Sequence, residues 1–191
     1  DVYGSFEDEE TAVPMSMSNG QADIDFYTST VAGTAGVSGS MLGFDPSTVE
    51  ITLLPNETYE LELSSESSVL PSGETTEVIV KAYDAYGNFV YTDSSTSVIF
   101  RVTELTEPHG AVNETEVTLA EGTGSITVTA DDLTGPINIV ATGETGGERT
   151  ALSGILTIDT VLEVEGISFA DIEPQVLFGA LLGAPFGEVT Q

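Results

Sequence analysis

Alternation with a period of two runs through the middle of this sequence and restricts what the chain can fold into. Tyr59, Leu61 and Leu63 alternate with Glu60 and Glu62, and Val98, Phe100 and Val102 bracket Arg101 in the same way. Ile126, Val128 and Ala130 oppose Thr127 and Thr129, and Ile137, Ile139 and Ala141 follow. Successive side chains of a strand point to opposite faces, so each run buries one face and leaves the other wet. Val78, Val80 and Ala82 alternate with Ile79, Lys81 and Tyr83, which places apolar matter on both faces of that strand. Leu152, Ile155, Leu156, Ile158, Leu162 and Val164 predict two more strands. Turn formers separate the runs at Pro55-Asn56, Pro71-Ser-Gly73, Tyr86-Gly-Asn88, Pro108-His-Gly110, Glu121-Gly122 and Gly143 to Gly147. No helical period of usable length competes. Seven or more short strands at this spacing predict an all-β, antiparallel sandwich.

Charge then narrows the partners. The 191 residues carry 32 Asp and Glu against 3 Lys and Arg, a formal charge of −29. Charged residues are only 18%, so the anomaly is a missing basic complement and not an excess of charge. Lys81, Arg101 and Arg149 cannot neutralise a phosphate backbone, and an anionic lipid surface would repel the chain. Nucleic acid and electrostatic membrane docking are therefore excluded. The sequence has no Cys, which removes disulfides, thiolate catalysis and Cys-ligated metals, and a single His109 leaves no His cluster. The longest apolar run, Val176 to Phe186, is well short of the ~20 residues of a membrane span. The start at Asp1 without Met is read as export with a signal peptide removed, or as a cut point.

Three regions are expected: an N-terminal arm and small-residue segment over 1–48, the sandwich over 49–158, and a C-terminal strand with an apolar tail over 159–191. The stretch from Thr28 to Ser40 is either a flexible linker or a small-residue strand pressed on a neighbour. The run Pro71-Ser-Gly-Glu-Thr-Thr-Glu-Val-Ile-Val-Lys-Ala-Tyr-Asp-Ala-Tyr-Gly-Asn-Phe-Val90 resembles bacterial and archaeal Ig-like domains of the invasin/intimin group. There, a turn of the P-x-G-x-S/T kind leads into a strand and D-x-x-G-N-x-V forms the next turn. Val117 to Val128 and Gly135 to Ala141 resemble the closing strands of that family. The longer, acidic link from Thr103 to Asn113 departs from it. The resemblance implies an Ig-like β-sandwich with strand-forming terminal extensions, a surface module supplying rigid length and contact area.

A second likeness lies at the start. Phe6-Glu-Asp-Glu-Glu-Thr11 and Asn19-Gly-Gln-Ala-Asp-Ile-Asp-Phe26 resemble the mature N-terminus of camelysin/TasA-type biofilm fibre proteins. Leu54 to Leu63 parallels the strand entry of that family. This resemblance implies a fibre subunit assembled by strand donation.

Candidate sites are few. Asp84 and Asn88 flank one turn and Asp131-Asp132 end another strand; loop carboxylates of this kind suit calcium, the one cofactor considered. Asp and Asn also suit such turns by bonding their own backbone, the plainer reading. Asn56-Glu-Thr58 and Asn113-Glu-Thr115 fit the N-glycosylation sequon, relevant in an archaeal or eukaryotic source. His109 has no Ser or carboxylate constellation beside it and is expected on a loop surface. With no catalytic residues assigned, an enzyme is rejected at this level.

The apolar tail is the oddity. Val176, Leu177, Phe178, Leu181, Leu182 and Phe186 would each forgo ~1.5–3 kcal/mol of burial if left in water. Together with Val2, Tyr3 and Phe6 of the arm they form the expected subunit interface. The expected function is a structural subunit of an extracellular filament, pilus or sheath, polymerising with copies of itself by strand donation. The alternative is an Ig-like module of a longer surface adhesin or surface-layer protein. Screening should act on the −29 charge. Turbidity is expected to rise with millimolar calcium or added salt, and identical readings in chelator and in calcium would refute that expectation.

Overall fold

The structure, a computed structural model, describes residues 3–6, 11–103, 109–145, 148–149 and 154–161. Among these residues there are only strands, turns and irregular segments. A first group precedes the sandwich: β1 (Gly4–Ser5), β2 (Tyr27–Thr28), β3 (Gly33–Gly39) and β4 (Ser47–Leu53). The sandwich follows with β5 (Glu60–Ser65), β6 (Val69–Pro71), β7 (Thr75–Tyr83), β8 (Ser97–Val102) and β9 (Gly110–Val112). It is completed by β10 (Glu116–Thr118), β11 (Thr123–Ala130), β12 (Gly135–Thr145), β13 (Glu148–Arg149) and β14 (Gly154–Val161).

One sheet has the order β5-β7-β11-β9 and the other β10-β8-β12-β14-β6, with β13 folded back on β12. In immunoglobulin terms the first is A-B-E-D and the second contains C-F-G, the strand order that defines the fold. The leading strand is split. β5 pairs with β7 in one sheet, and after Ser65 the chain crosses so that β6 runs parallel to β14 in the other. All other pairings are antiparallel.

The alternating residues fill the space between the sheets. Leu61 and Leu63 of β5, Val78, Val80 and Ala82 of β7, and Ile126, Val128 and Ala130 of β11 face Val98 and Phe100 of β8. Ile137, Ile139 and Ala141 of β12 and Ile158 of β14 close the same core. Antibody domains mark this core with a disulfide and a Trp on strand C. This sequence has neither Cys nor Trp, and among the described residues Phe100, on the C-position strand, is the largest fully buried side chain.

Two turns are tightly specified. Ala120 and Thr123 bridge across Glu121 and Gly122, both at positive φ (50° and 74°), as a two-residue hairpin of the primed type requires. At Gly135 (φ 154°) a Cβ would lie 2.7–2.9 Å from ring atoms of His109. His109, expected on a loop surface, is therefore half-buried and packed on the start of β12.

The boundary expected at Val49 falls inside a separate hairpin. β3 and β4 pair over their whole length, from Gly33 with Leu53 to Gly39 with Ser47, and the sandwich strands begin at Glu60 and end at Val161. The reason is periodicity: Val49, Ile51 and Leu53 find an apolar partner face in Val37, Ala35 and Gly33. Within the Thr28–Ser40 segment, Gly33–Gly39 is thus strand and not linker. A direct check on the core is Phe100→Ala, which is expected to cost about 3–5 kcal/mol in urea unfolding. A loss below ~1 kcal/mol would show that Phe100 does not organise the two sheets.

Candidate functional site

Three connections meet at the end of the sandwich where β5 begins and β7 ends: residues 54–59, 84–96 and 119–123. The Asp84 to Gly87 turn is closed by the Gly87 amide donating to the Asp84 carbonyl (3.0 Å). Asp84 is 2% exposed, and its carboxylate sits inside this turn. Oδ1 accepts from the amides of Tyr86 and Asn88, both at 2.9 Å. Oδ2 accepts from the Asn56 amide (3.0 Å) and from Asn88 Nδ2 (2.8 Å). Burial pushes the carboxyl pKa up, but the Asn88 side chain and the amides of Asn56, Asn88 and Tyr86 outweigh it and hold the group below its ordinary value.

Asn88 carries the tie further. Its Oδ1 accepts from the Ala32 amide (3.0 Å) and its Nδ2 also donates to the Thr30 carbonyl (2.7 Å). The segment leading into β3 is therefore fastened to the same turn as the segment leading into β5.

Asp93 makes a second hub nearby. Its carboxylate accepts from the Thr58 hydroxyl (2.5 Å), the Thr96 hydroxyl (2.6 Å) and the amides of Ser95 and Thr96 (3.0 Å each). Its own carbonyl accepts from the Gly122 amide (2.7 Å). Burial raises this carboxyl's pKa, and the hydroxyls of Thr58 and Thr96 with the two amides overcome that effect and lower it to about 2. Between the two hubs lies an open groove of about 520 Å³, lined by Asn56, Glu57, Thr58, Val90, Asp93 and Thr96 among others. Both carboxylates are committed to donors of the chain itself. The exposed residues of its lining are Asn56, Glu57, Thr92 and Ser95.

The sequence-predicted residues are distributed as follows. Asp84 and Asn88 are brought together, with Asn56 joined to them through its backbone. Asp131 and Asp132 lie at the far end of β7, where β11 ends opposite Thr75; Asp132 accepts from the Ser72 hydroxyl (2.9 Å). The Asp84–Asn88 and Asp131–Asp132 pairs therefore cannot share one cation. Among the described residues no three His, Cys, Asp or Glu groups cluster to hold a metal. Asn56 is exposed on the groove rim. Asn113 is also exposed, but its Oδ1 accepts from the Thr127 amide (2.6 Å), extending the β9–β11 pairing by one side-chain rung.

Tyr3 and Phe6 are engaged within their own chain: the Tyr3 carbonyl accepts from the Ser29 amide (2.9 Å), its ring rests on Gly33, and Phe6 meets Phe26 edge-on at 5.9 Å. Val2, Val176, Leu177, Phe178, Leu181, Leu182 and Phe186 lie outside the described residues. Sequence reading passed over Asp93, although Asp-Ser-Ser-Thr after a Tyr-Thr turn is a signal for side-chain-to-backbone bonding. Nothing local could have paired Asn88 with Thr30.

No family model and no curated protein matches the sequence. Solved structures with a similar course include the FdeC adhesin of Escherichia coli, 22% identical over 70% of this chain and 42% of that one, TM-score 0.42. Domains 4 and 5 of the S-layer protein SbsC match at 17% identity over 71% of this chain and 69% of theirs, TM-score 0.40. A glycosyl hydrolase family 2 member from Bacteroides cellulosilyticus matches at 12% identity over 71% of this chain, TM-score 0.45. The chain spans less than half of the adhesin and 19% of the hydrolase. The hydrolase likeness corrects the rejection of enzymes made from the sequence, since segments similar to this one occur inside glycosyl hydrolases.

The Asp93 hub makes a pH prediction with a definite sign. A carboxyl lowered from 3.8 to about 2 stabilises the fold fully above pH ~4, and this contribution disappears as pH falls through ~2. Because the group is partly solvated, about 1–2 kcal/mol is at stake. Asp93→Asn is therefore expected to be less stable than the parent at pH 6, with the gap closing between pH 4 and 2. A gap that stays constant across urea titrations in this range would refute the assignment.

Proposed function

We propose that the chain is an Ig-like module of a longer cell-surface protein of adhesin or surface-layer type, holding its neighbours at a fixed distance and orientation. The observation that carries this reading is where the backbone enters and leaves the sandwich. Glu60, the first residue of β5, pairs with Tyr83 at the end with the Asp84 and Asp93 hubs. Val161, the last residue of β14, pairs with Pro71 and accepts from the Ser72 amide at the other end. The nine residues of β7 separate these ends, roughly 27–30 Å at 3.3 Å per residue. A unit entered at one pole and left at the other is built for placement in series.

The Asp84–Asn88 turn supports the same reading. It fastens both Asn56 and the Thr30–Ala32 segment, so the approach to the sandwich is held in one direction instead of swinging on a linker. The outward faces, with Glu60, Glu62, Glu77 and Glu116 exposed, keep neighbouring strings apart.

Two measurements test the proposal. Antibodies against this chain are expected to label intact cells, and labelling only after lysis would overturn the surface location. Negative-stain images of the native protein are expected to show discrete particles or short strings of beads. Open-ended ordered fibres of this chain alone would replace the module reading with polymerisation by strand donation.

A further inference from the structure

Among the described residues, the outermost strands of the two sandwich sheets are guarded against pairing with another chain. β5 exposes Glu60 and Glu62, β6 ends at Pro71, and β9 and β10 are three residues each, the latter with Glu116. Short edges, charges and Pro are the usual means of blocking edge-to-edge contact. β3 has none of them. It runs seven residues, Gly-Thr-Ala-Gly-Val-Ser-Gly, has no Pro or charge, and among the described residues is bonded to β4 on one side only. Beside Gly39 there is nothing within 4 Å of a built Cβ, and beside Gly36 only the Thr48 methyl at 3.7 Å.

The β3–β4 hairpin is also incompletely covered. Its apolar face starts at Leu53 and Ala35, buried at the base, continues through half-buried Ile51 and Val37, and reaches Val49 at 62% exposure. At the tip Leu42 is 100% and Phe44 69% exposed. A two-stranded ribbon with one wet apolar face is marginal by itself, whereas four strands sharing such a face are stable.

The sequence of β3 identifies what fits beside it. Set antiparallel to a copy of itself and centred on Gly36, it places Gly33 opposite Gly39, Thr34 opposite Ser38 and Ala35 opposite Val37. Like meets like on both faces: Ala35 and Val37 lie on the apolar face, Thr34 and Ser38 on the polar one. Charge agrees. From Phe26 to Phe44 there is no Asp, Glu, Lys, Arg or His, so this is a stretch where a second copy of a −29 chain meets no like charge. We propose that β3 is a homodimer contact, in which two copies pair their β3 strands antiparallel about a two-fold axis at Gly36 and form one β4-β3-β3-β4 sheet. Seven facing residues supply about six to eight backbone hydrogen bonds. The contact is isologous and closes at two copies, so it is independent of the serial placement proposed above.

The test uses the full chain in about 1 M salt, where the Debye length is ~3 Å and general repulsion is removed. Sedimentation equilibrium is expected to show a concentration-dependent dimer. Compared with the parent at about 0.15 M salt, where the Debye length is ~8 Å and facing charges still act on each other, Thr34→Lys combined with Ser38→Lys places like charges directly opposite each other across the axis and is expected to weaken the dimer at least about tenfold. That variant also lowers the net negative charge, so unspecific electrostatics would act in the other direction. Thr34→Glu combined with Ser38→Lys makes the facing charges opposite and is expected to restore dimerisation. Since the chain has no Cys, cross-linking provides a check that does not depend on those variants folding well. Gly36→Cys brings two thiols within the ~4.4–6.8 Å Cα range of a disulfide. Gly39→Cys leaves them ~20 Å apart, so only the former should oxidise rapidly to a covalent dimer. A parent chain that stays monomeric at every concentration, or equal cross-linking from positions 36 and 39, would overturn the proposal.

Discussion

Burial of aliphatic side chains between two sheets is the interaction on which everything else in this protein rests. No disulfide can form, no Trp is present, and the three cations leave little scope for ion pairing against 32 acids. The core built by β7, β11, β12 and β8 has to hold the sandwich with Val, Ile, Leu, Ala and one Phe. At about 25 cal/mol per Å² of apolar surface removed from water, it is the only large favourable term available. The split of the leading strand follows from it. By crossing between the sheets, β5 and β6 deliver Leu61 and Leu63 from one side and Leu70 from the other, sealing the core along one flank.

Once the sheets are closed, the polar problem moves to the ends. Asp84 and Asp93 solve it by drawing amide and hydroxyl donors from separate stretches of chain onto single buried or half-buried carboxylates. A carboxylate with this many donors is cheaper to bury charged than neutral, which is why both pKa values fall although burial acts to raise them. The same bonds that satisfy the groups also fasten the incoming chain. Satisfying the two carboxylates and fastening the incoming chain are done by one set of atoms, and neither hub is left without donors.

The acidity of the chain takes a different place in this scheme. Among the described residues it is carried mostly on strand positions that face water, on strand edges and in turns, where partners of the same kind are kept away. The hairpin of β3 and β4 breaks this pattern. Among the described residues it is neutral along its open edge, apolar on one face and exposed at its tip.

The period-two runs from Leu61 to Ile158 contained the strands, their inward faces and most of the core, because alternation is a local property and a one-residue slip would turn every apolar side chain outward. The Pro71-Ser-Gly73 and Asp84 to Asn88 turns were legible for the same reason: the residues that make them are adjacent. The start of the sandwich was not, because Val49 to Leu53 alternates equally well whether its partner is the sandwich or β3. Nor could His109 be placed, since its neighbour Gly135 lies in another strand. The joining of Asn88 to Thr30 and of Thr58 to Asp93 spans 58 and 35 residues. Sequence alone determined which residues seek burial and where the chain can turn; only the tertiary structure decided which distant donors each carboxylate collects. A hydrogen bond needs its partner within about 3 Å, and that proximity exists only after the sheets have packed.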